Sequence, residues 1–105
     1  MLTHHQAAGI DTVSFAGEMT IYDIENLATA FMPLVGQAGN LVVDLKEVTE
    51  IDSSGAQLLM MARLERQRLD KAFSLVNHSV AVVNLFKLLG LLNWFDDPVL
   101  LSGDA

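Results

Sequence analysis

Two hydroxyls and a carboxylate lie side by side in Asp52-Ser53-Ser54-Gly55. The apolar run Leu41 to Leu45 precedes them across a short polar link, and a long helical pattern follows at once. The spacing predicts a strand-to-helix turn. Free backbone N–H groups and the positive end of a helix favour an anion at such a turn. A serine in that position has three possible uses: helix cap, nucleophile or phosphorylation site. Ser and Asp are favoured caps because their side-chain oxygens accept a backbone N–H.

A nucleophile needs a neighbouring base, and near neutral pH only His4, His5 and His78 qualify. The first two belong to the start of the chain and the third precedes a later helix. Asp-Ser-Ser-Gly lacks the nucleophile-elbow spacing, and no Ser-His-Asp set is evident. The carboxylates Asp44, Glu47, Glu50 and Asp52 are close in sequence but match no calcium-loop spacing. Gly36 and Gly39 form no phosphate-binding fingerprint, so neither a metal nor a cofactor is expected. Trp94 and Phe95, beside Asp96 and Asp97, read as a core plug. Met60 and Met61 read as core and near-core filler.

The elements that position these residues follow from periodicity. Asp11 to Ala16 alternates, with Val13 and Phe15 on one face of a strand, and a weaker strand precedes it. Gly17 to Thr20 reads as a turn, with Thr20 and Asp23 as a capping box. Ile24, Leu27, Ala28, Phe31, Leu34 and Val35 mark a first helix that Pro33 ends or kinks. Leu41 to Val43 reads as a strand buried on both faces. A second helix runs from about Ser54 to about Leu69, deep in its first half and exposed in its second. Arg63, Arg66, Arg68 and Lys71, mixed with Glu65 and Asp70, read as its solvated face. Phe73 to Val76 is a further strand. Ser79 caps a third helix carrying Val82, Leu85, Phe86 and Leu89, and Gly90 stops it. Leu91 to Phe95 and Val99 to Leu101 close the core.

This β-β-α-β-α-β-α alternation predicts an α/β fold, a mixed sheet with helices packed on it. At 105 residues it fits one domain over residues 1–105, with a core from about 10 to 101. The absence of cysteine excludes disulfides and thiolate metal sites. No signal-peptide pattern opens the chain, and the longest apolar stretch, Leu58 to Ala62, is too short to span a membrane, so a cytoplasmic protein is expected. A net charge of −7 argues against nucleic acid and suits a basic protein partner better. Together these residues describe a binding or switch module with no catalytic set.

The ordered segments resemble the STAS domain of bacterial anti-sigma factor antagonists and of sulphate-transporter cytoplasmic regions. The resemblance covers about residues 10–95. It rests on Val13 to Met19, ending Phe-Ala-Gly-Glu-Met; on Leu41 to Leu45 followed by Ile51-Asp52-Ser53-Ser54-Gly55; on Leu75-Val76-Asn77 with Val83, Leu85 and Phe86; and on Leu88 to Leu91 with Trp94-Phe95. The resemblance implies phosphorylation on Ser53, the first serine after the aspartate. It implies a partner surface including Glu18, Thr20, Asp52, Ser53, Ser54, Gly55 and Gln57. The implied partners are a serine kinase that is itself the anti-sigma factor, of histidine-kinase-like ATPase fold, and a metal-dependent serine phosphatase. Thr20 stands where many antagonists carry an acidic residue, and Gln57 where a small or apolar one is common. The other class within the family is a constitutive subunit bracing a phospholipid-type ABC transporter.

Overall fold

The computed structural model describes residues 1–95. Four strands and three helices follow in the order β1 (Leu2–Ala7), β2 (Ile10–Met19), α1 (Ile24–Gln37), β3 (Asn40–Ile51), α2 (Ser53–Arg68), β4 (Phe73–Val76) and α3 (Val80–Leu89). They form one mixed sheet of order β1-β2-β3-β4. β1 is antiparallel to β2, while β2, β3 and β4 run parallel. Ala8 and Gly9, both at positive φ, make the two-residue turn that closes the β1–β2 hairpin, as the twist of paired strands favours. The parallel strands need crossovers, and α1 and α2 supply them.

The core lies on one face of the sheet. Val13 and Phe15 of β2, Leu41, Val43 and Leu45 of β3 and Leu75 of β4 are buried there. They join Phe31 and Val35 of α1, Leu58, Leu59 and Ala62 of α2, and Val82 and Phe86 of α3 in one cluster. The rings of Phe15 and Phe31 meet edge to face at 5.0 Å. Phe95 stacks on Phe86 at 5.0 Å, so the Trp94-Phe95 plug is where the sequence places it. Val99 to Leu101, also assigned to the core from sequence, and Asp96 and Asp97 lie outside the described residues.

Several expectations are corrected. β3 is not buried on both faces: Val42 and Asp44, alternating with the core residues, are only half-buried. The presumed polar link 46–50 is the continuation of β3. Glu47, Val48, Glu50 and Ile51 pair with Ala16, Gly17, Glu18 and Met19, so Gly17 to Met19 is strand and not turn. Register shifts interrupt this pairing, and Gly17 adopts φ +83° beside them, a conformation in which glycine meets no Cβ penalty. The Thr20–Asp23 capping box does not form. The Thr20 carbonyl instead accepts the N–H groups of Asp23 and Ile24, because helical geometry begins only at Ile24. Met61 is not filler but 55% exposed.

Arg66, read as part of a solvated face, is a further correction. It is fully buried, and its guanidinium donates to the carbonyls of Val35, Ala38, Gly39 and Ala72 at 2.6–3.0 Å. These carbonyls converge where α1 hands over to β3 and where the chain enters β4. One fork of five donors satisfies them together. Burial pulls the Arg66 pKa below its ordinary value, and the charge of Asp11 works in the opposite direction. Pro33 sits inside α1, which continues another turn to Gln37. Ser79 and Gly90 bound α3 as the sequence predicts, Gly90 at φ +70°.

Candidate functional site

Because β2, β3 and β4 are parallel, α1, α2 and α3 all begin near the same end of the sheet. In open α/β sheets the ends of strands that lead into helices are where binding residues gather. The sequence-predicted residues meet at this end.

Asp52 organises the site. It is the N-cap of α2, and its Oδ1 accepts the backbone N–H of Ser54 at 3.0 Å and of Gly55 at 3.3 Å. The Ser54 hydroxyl donates to the same oxygen. Oδ2 accepts the backbone N–H of Ile21 at 2.9 Å, and Asp52 N–H donates to the Met19 carbonyl at 3.3 Å. One carboxylate thus ties the β2–α1 loop to the start of α2. The Ser54 hydroxyl is the main reason that the Asp52 carboxyl titrates below its usual range. Burial opposes this effect, and the N–H groups of Ile21, Gly55 and Ser54 reinforce it.

Gly55 lies where α2 touches β2. A Cβ there would stand 2.4 Å from the Met19 carbonyl oxygen and 2.8 Å from Ile51 Cγ1. Only glycine permits this approach, which brings the second serine down onto the cap and leaves the first outside. Ser53 is exposed, and among the described residues its hydroxyl takes part in no hydrogen bond. Ser54 is half-buried and bonded.

Glu18 is exposed on β2 opposite Glu50, also exposed, so two carboxylates face each other across the ladder. Thr20 is only 7% exposed, and its Oγ1 is buried without a hydrogen-bond partner among the described residues. It supports the loop from beneath rather than presenting a side chain at the surface. Gln57 is exposed one turn along α2.

The other chemistry-bearing residues are elsewhere employed. His4 Nε2 lies 2.6 Å from Asp11 Oδ1 on the β1–β2 hairpin, and His78 is buried with its ring against Phe86. Asp44 Oδ1 accepts the Lys46 N–H, and its Oδ2 accepts from the Asn77 amide. Among the described residues no group of three or more His, Asp or Glu side chains is placed to hold a metal, and no helix is long and apolar enough to cross a membrane.

Sequence reasoning missed Ile21, 63% exposed, and Tyr22, 90% exposed, in the loop that Asp52 anchors. The signal was an apolar pair directly after the strand, where no periodicity assigns it to the core.

Comparison with known proteins places this geometry. A family profile described as "Mlab, STAS domain" matches residues 3–101. The chain belongs to the STAS domain family. The anti-sigma-B factor antagonist of Bacillus subtilis (strain 168) is 29% identical to this STAS domain over 84 residues, 80% of this chain and 77% of that protein. The crystal structure of an anti-sigma factor antagonist from Mycobacterium paratuberculosis superposes with a TM-score of 0.81 at 24% identity. It covers 99% of this chain and 86% of that one. The Bacillus cell fate determinant SpoIIAA in its phosphorylated form gives 0.70 at 18% identity over 93% and 91%. The two structural matches establish the STAS fold.

Proposed function

We propose that this STAS protein is a phosphorylation-controlled partner switch of the anti-sigma factor antagonist type, with no catalytic activity of its own. In its unmodified form it binds a serine kinase that doubles as an anti-sigma factor, built on the histidine-kinase-like ATPase fold. Phosphorylation of Ser53 releases that kinase, and a metal-dependent serine phosphatase restores the binding form. These events place the protein in the cytoplasm.

The observation that carries this reading is the division of labour between the two serines. Ser54 is committed to the Asp52 carboxylate, whereas the Ser53 hydroxyl stands exposed at the first position of α2. A kinase can reach Ser53 without disturbing the cap. The phosphoryl group adds about −1.5 to −2 charges at neutral pH. Asp52 already occupies the N–H groups of Ser54 and Gly55. The new charge therefore stays at the surface, near Asp52, and confronts whatever packs there.

The test uses the cognate kinase and ATP, with phosphosite mapping and binding measurements. One phosphate is expected on Ser53. Ser53→Ala abolishes modification and retains binding. Ser53→Asp weakens binding by about 30-fold or more, the equivalent of about 2–5 kcal/mol for an unpaired charge desolvated at an interface. A phosphate on Ser54, or equal affinity for the modified and unmodified forms, overturns the switch. Absence of phosphate under every growth condition favours a constitutive subunit, such as the brace of a phospholipid-type ABC transporter.

A further inference from the structure

Beside the serine site, α1 and α2 leave an open groove of about 260 Å³. Its walls are Ile21, Ile24 and Ala28 on one side and Leu58 and Met61 on the other. Ser54 and Gln57 line it too, so it is continuous with the surface around Ser53. More than half the surface of both Ile21 and Met61 is exposed. Apolar side chains clustered around a concave, water-filled surface are the usual mark of a docking site, whereas scattered ones are not.

The charges around the groove indicate what fits. Glu25 lines it, Asp23 stands at the N-terminal end of α1, and residues 1–45 contain no lysine or arginine. Further along the exposed side of α2, Arg68 is already paired with Glu65 at 2.7 Å. A second copy of this chain, at net charge −7, would bring acid against acid. We infer that the α1–α2 groove is a second anchor for the switch partner. It takes a large apolar side chain from a partner segment flanked by lysine or arginine. This inference rests on the partner-switch reading and extends its contact surface along α2.

A photo-crosslinking amino acid placed at position 50, 61 or 88 of the full chain, in its native cells, tests the anchor. Leu88 is exposed on α3, outside the groove. Positions 50 and 61 should capture the same protein, and position 61 should join an apolar residue with Lys or Arg within one helical turn. Position 88 should not capture it. With that protein purified, Met61→Lys should lower affinity at least tenfold and Met61→Glu by less. Leu88→Glu should change it less than twofold. All three substitutions are at exposed sites, so melting temperatures should match wild type.

Three outcomes overturn the anchor: capture of a second copy from position 61, capture of an acidic segment there, or Met61→Lys binding as tightly as wild type. If the protein captured from position 50 loses affinity on Ser53 phosphorylation while Met61→Lys is silent, the groove fails and the switch stands. If Met61→Lys weakens binding but Ser53 phosphorylation does not, the switch fails and the groove stands.

Discussion

Helices α2 and α3 start from the same end of the sheet, each after a parallel strand and each with serine at or beside its cap. In α3 the capping residue is Ser79 itself, buried, its hydroxyl accepting the Val82 N–H at 3.3 Å. In α2 the cap is Asp52, which leaves Ser53 outside and binds Ser54. An aspartate cap frees the serine that follows it. A serine cap consumes itself in the role. The two starts differ again at the third helical position. Val82 of α3 is a buried core residue, whereas Gly55 of α2 is pressed against β2.

That contrast can be broken most severely at Gly55. Gly55→Val inserts atoms where even a Cβ would overlap the Met19 carbonyl oxygen. It should cost about 3 kcal/mol or more in urea unfolding, while Val82→Ala, which removes volume, should leave a cavity and cost about 1–3 kcal/mol. A fully stable Gly55→Val would mean that α2 can withdraw from β2.

Asp52→Ala comes next, with an expected loss of about 2 kcal/mol, because four donors lose their acceptor. This effect should depend on pH, unlike that of Ser79. The folded-state pKa of Asp52 is lowered, so its contribution is complete above the unfolded-chain value of about 3.9. It disappears as pH falls through the lower folded value. Wild type should therefore outlast Asp52→Ala at pH 7 and lose that advantage in acid. An equal gap at both pH values would show that the carboxylate charge is not what supports the cap.

The smallest effects sharpen the comparison of the serines. Ser79→Ala should cost about 1 kcal/mol in thermal unfolding, as loss of a buried cap does. Ser53→Ala should stay within about 0.5 kcal/mol of wild type, as exposed substitutions usually do. A larger loss at Ser53 than at Ser79 would reverse the assignment of structural and free serine.

Much of this fold is written in local patterns. The alternation around Val13 and Phe15, the 3.6-residue stripe of α1, and Ser79 with Gly90 around α3 are readable because each depends on neighbours in sequence. The end of β3 is not. Lys46, Glu47, Thr49 and Glu50 are exposed on either side of the buried Val48, so their polarity imitates a loop. Arg66 is illegible for another reason. Its partners lie 6 to 31 residues away, and nothing local distinguishes it from Arg68 on the same helix. For the candidate site, Asp52 to Gly55 was visible as a group. The resemblance already singled out Ser53; that Asp52 is the capping residue and holds the Ser54 hydroxyl was visible only in the geometry.

Arg66 has a consequence for how the molecule breathes. It sits thirteen residues along α2 from Ser53, about 20 Å at the helical rise. Withdrawing its guanidinium strands buried carbonyls from α1, from the chain entering β3 and from the chain entering β4 at once. Amides in that region should therefore exchange with solvent only through openings that approach global unfolding. The far end of the domain should then have no inexpensive sub-state to offer, and under the proposed switch a phosphate on Ser53 would act where it is attached.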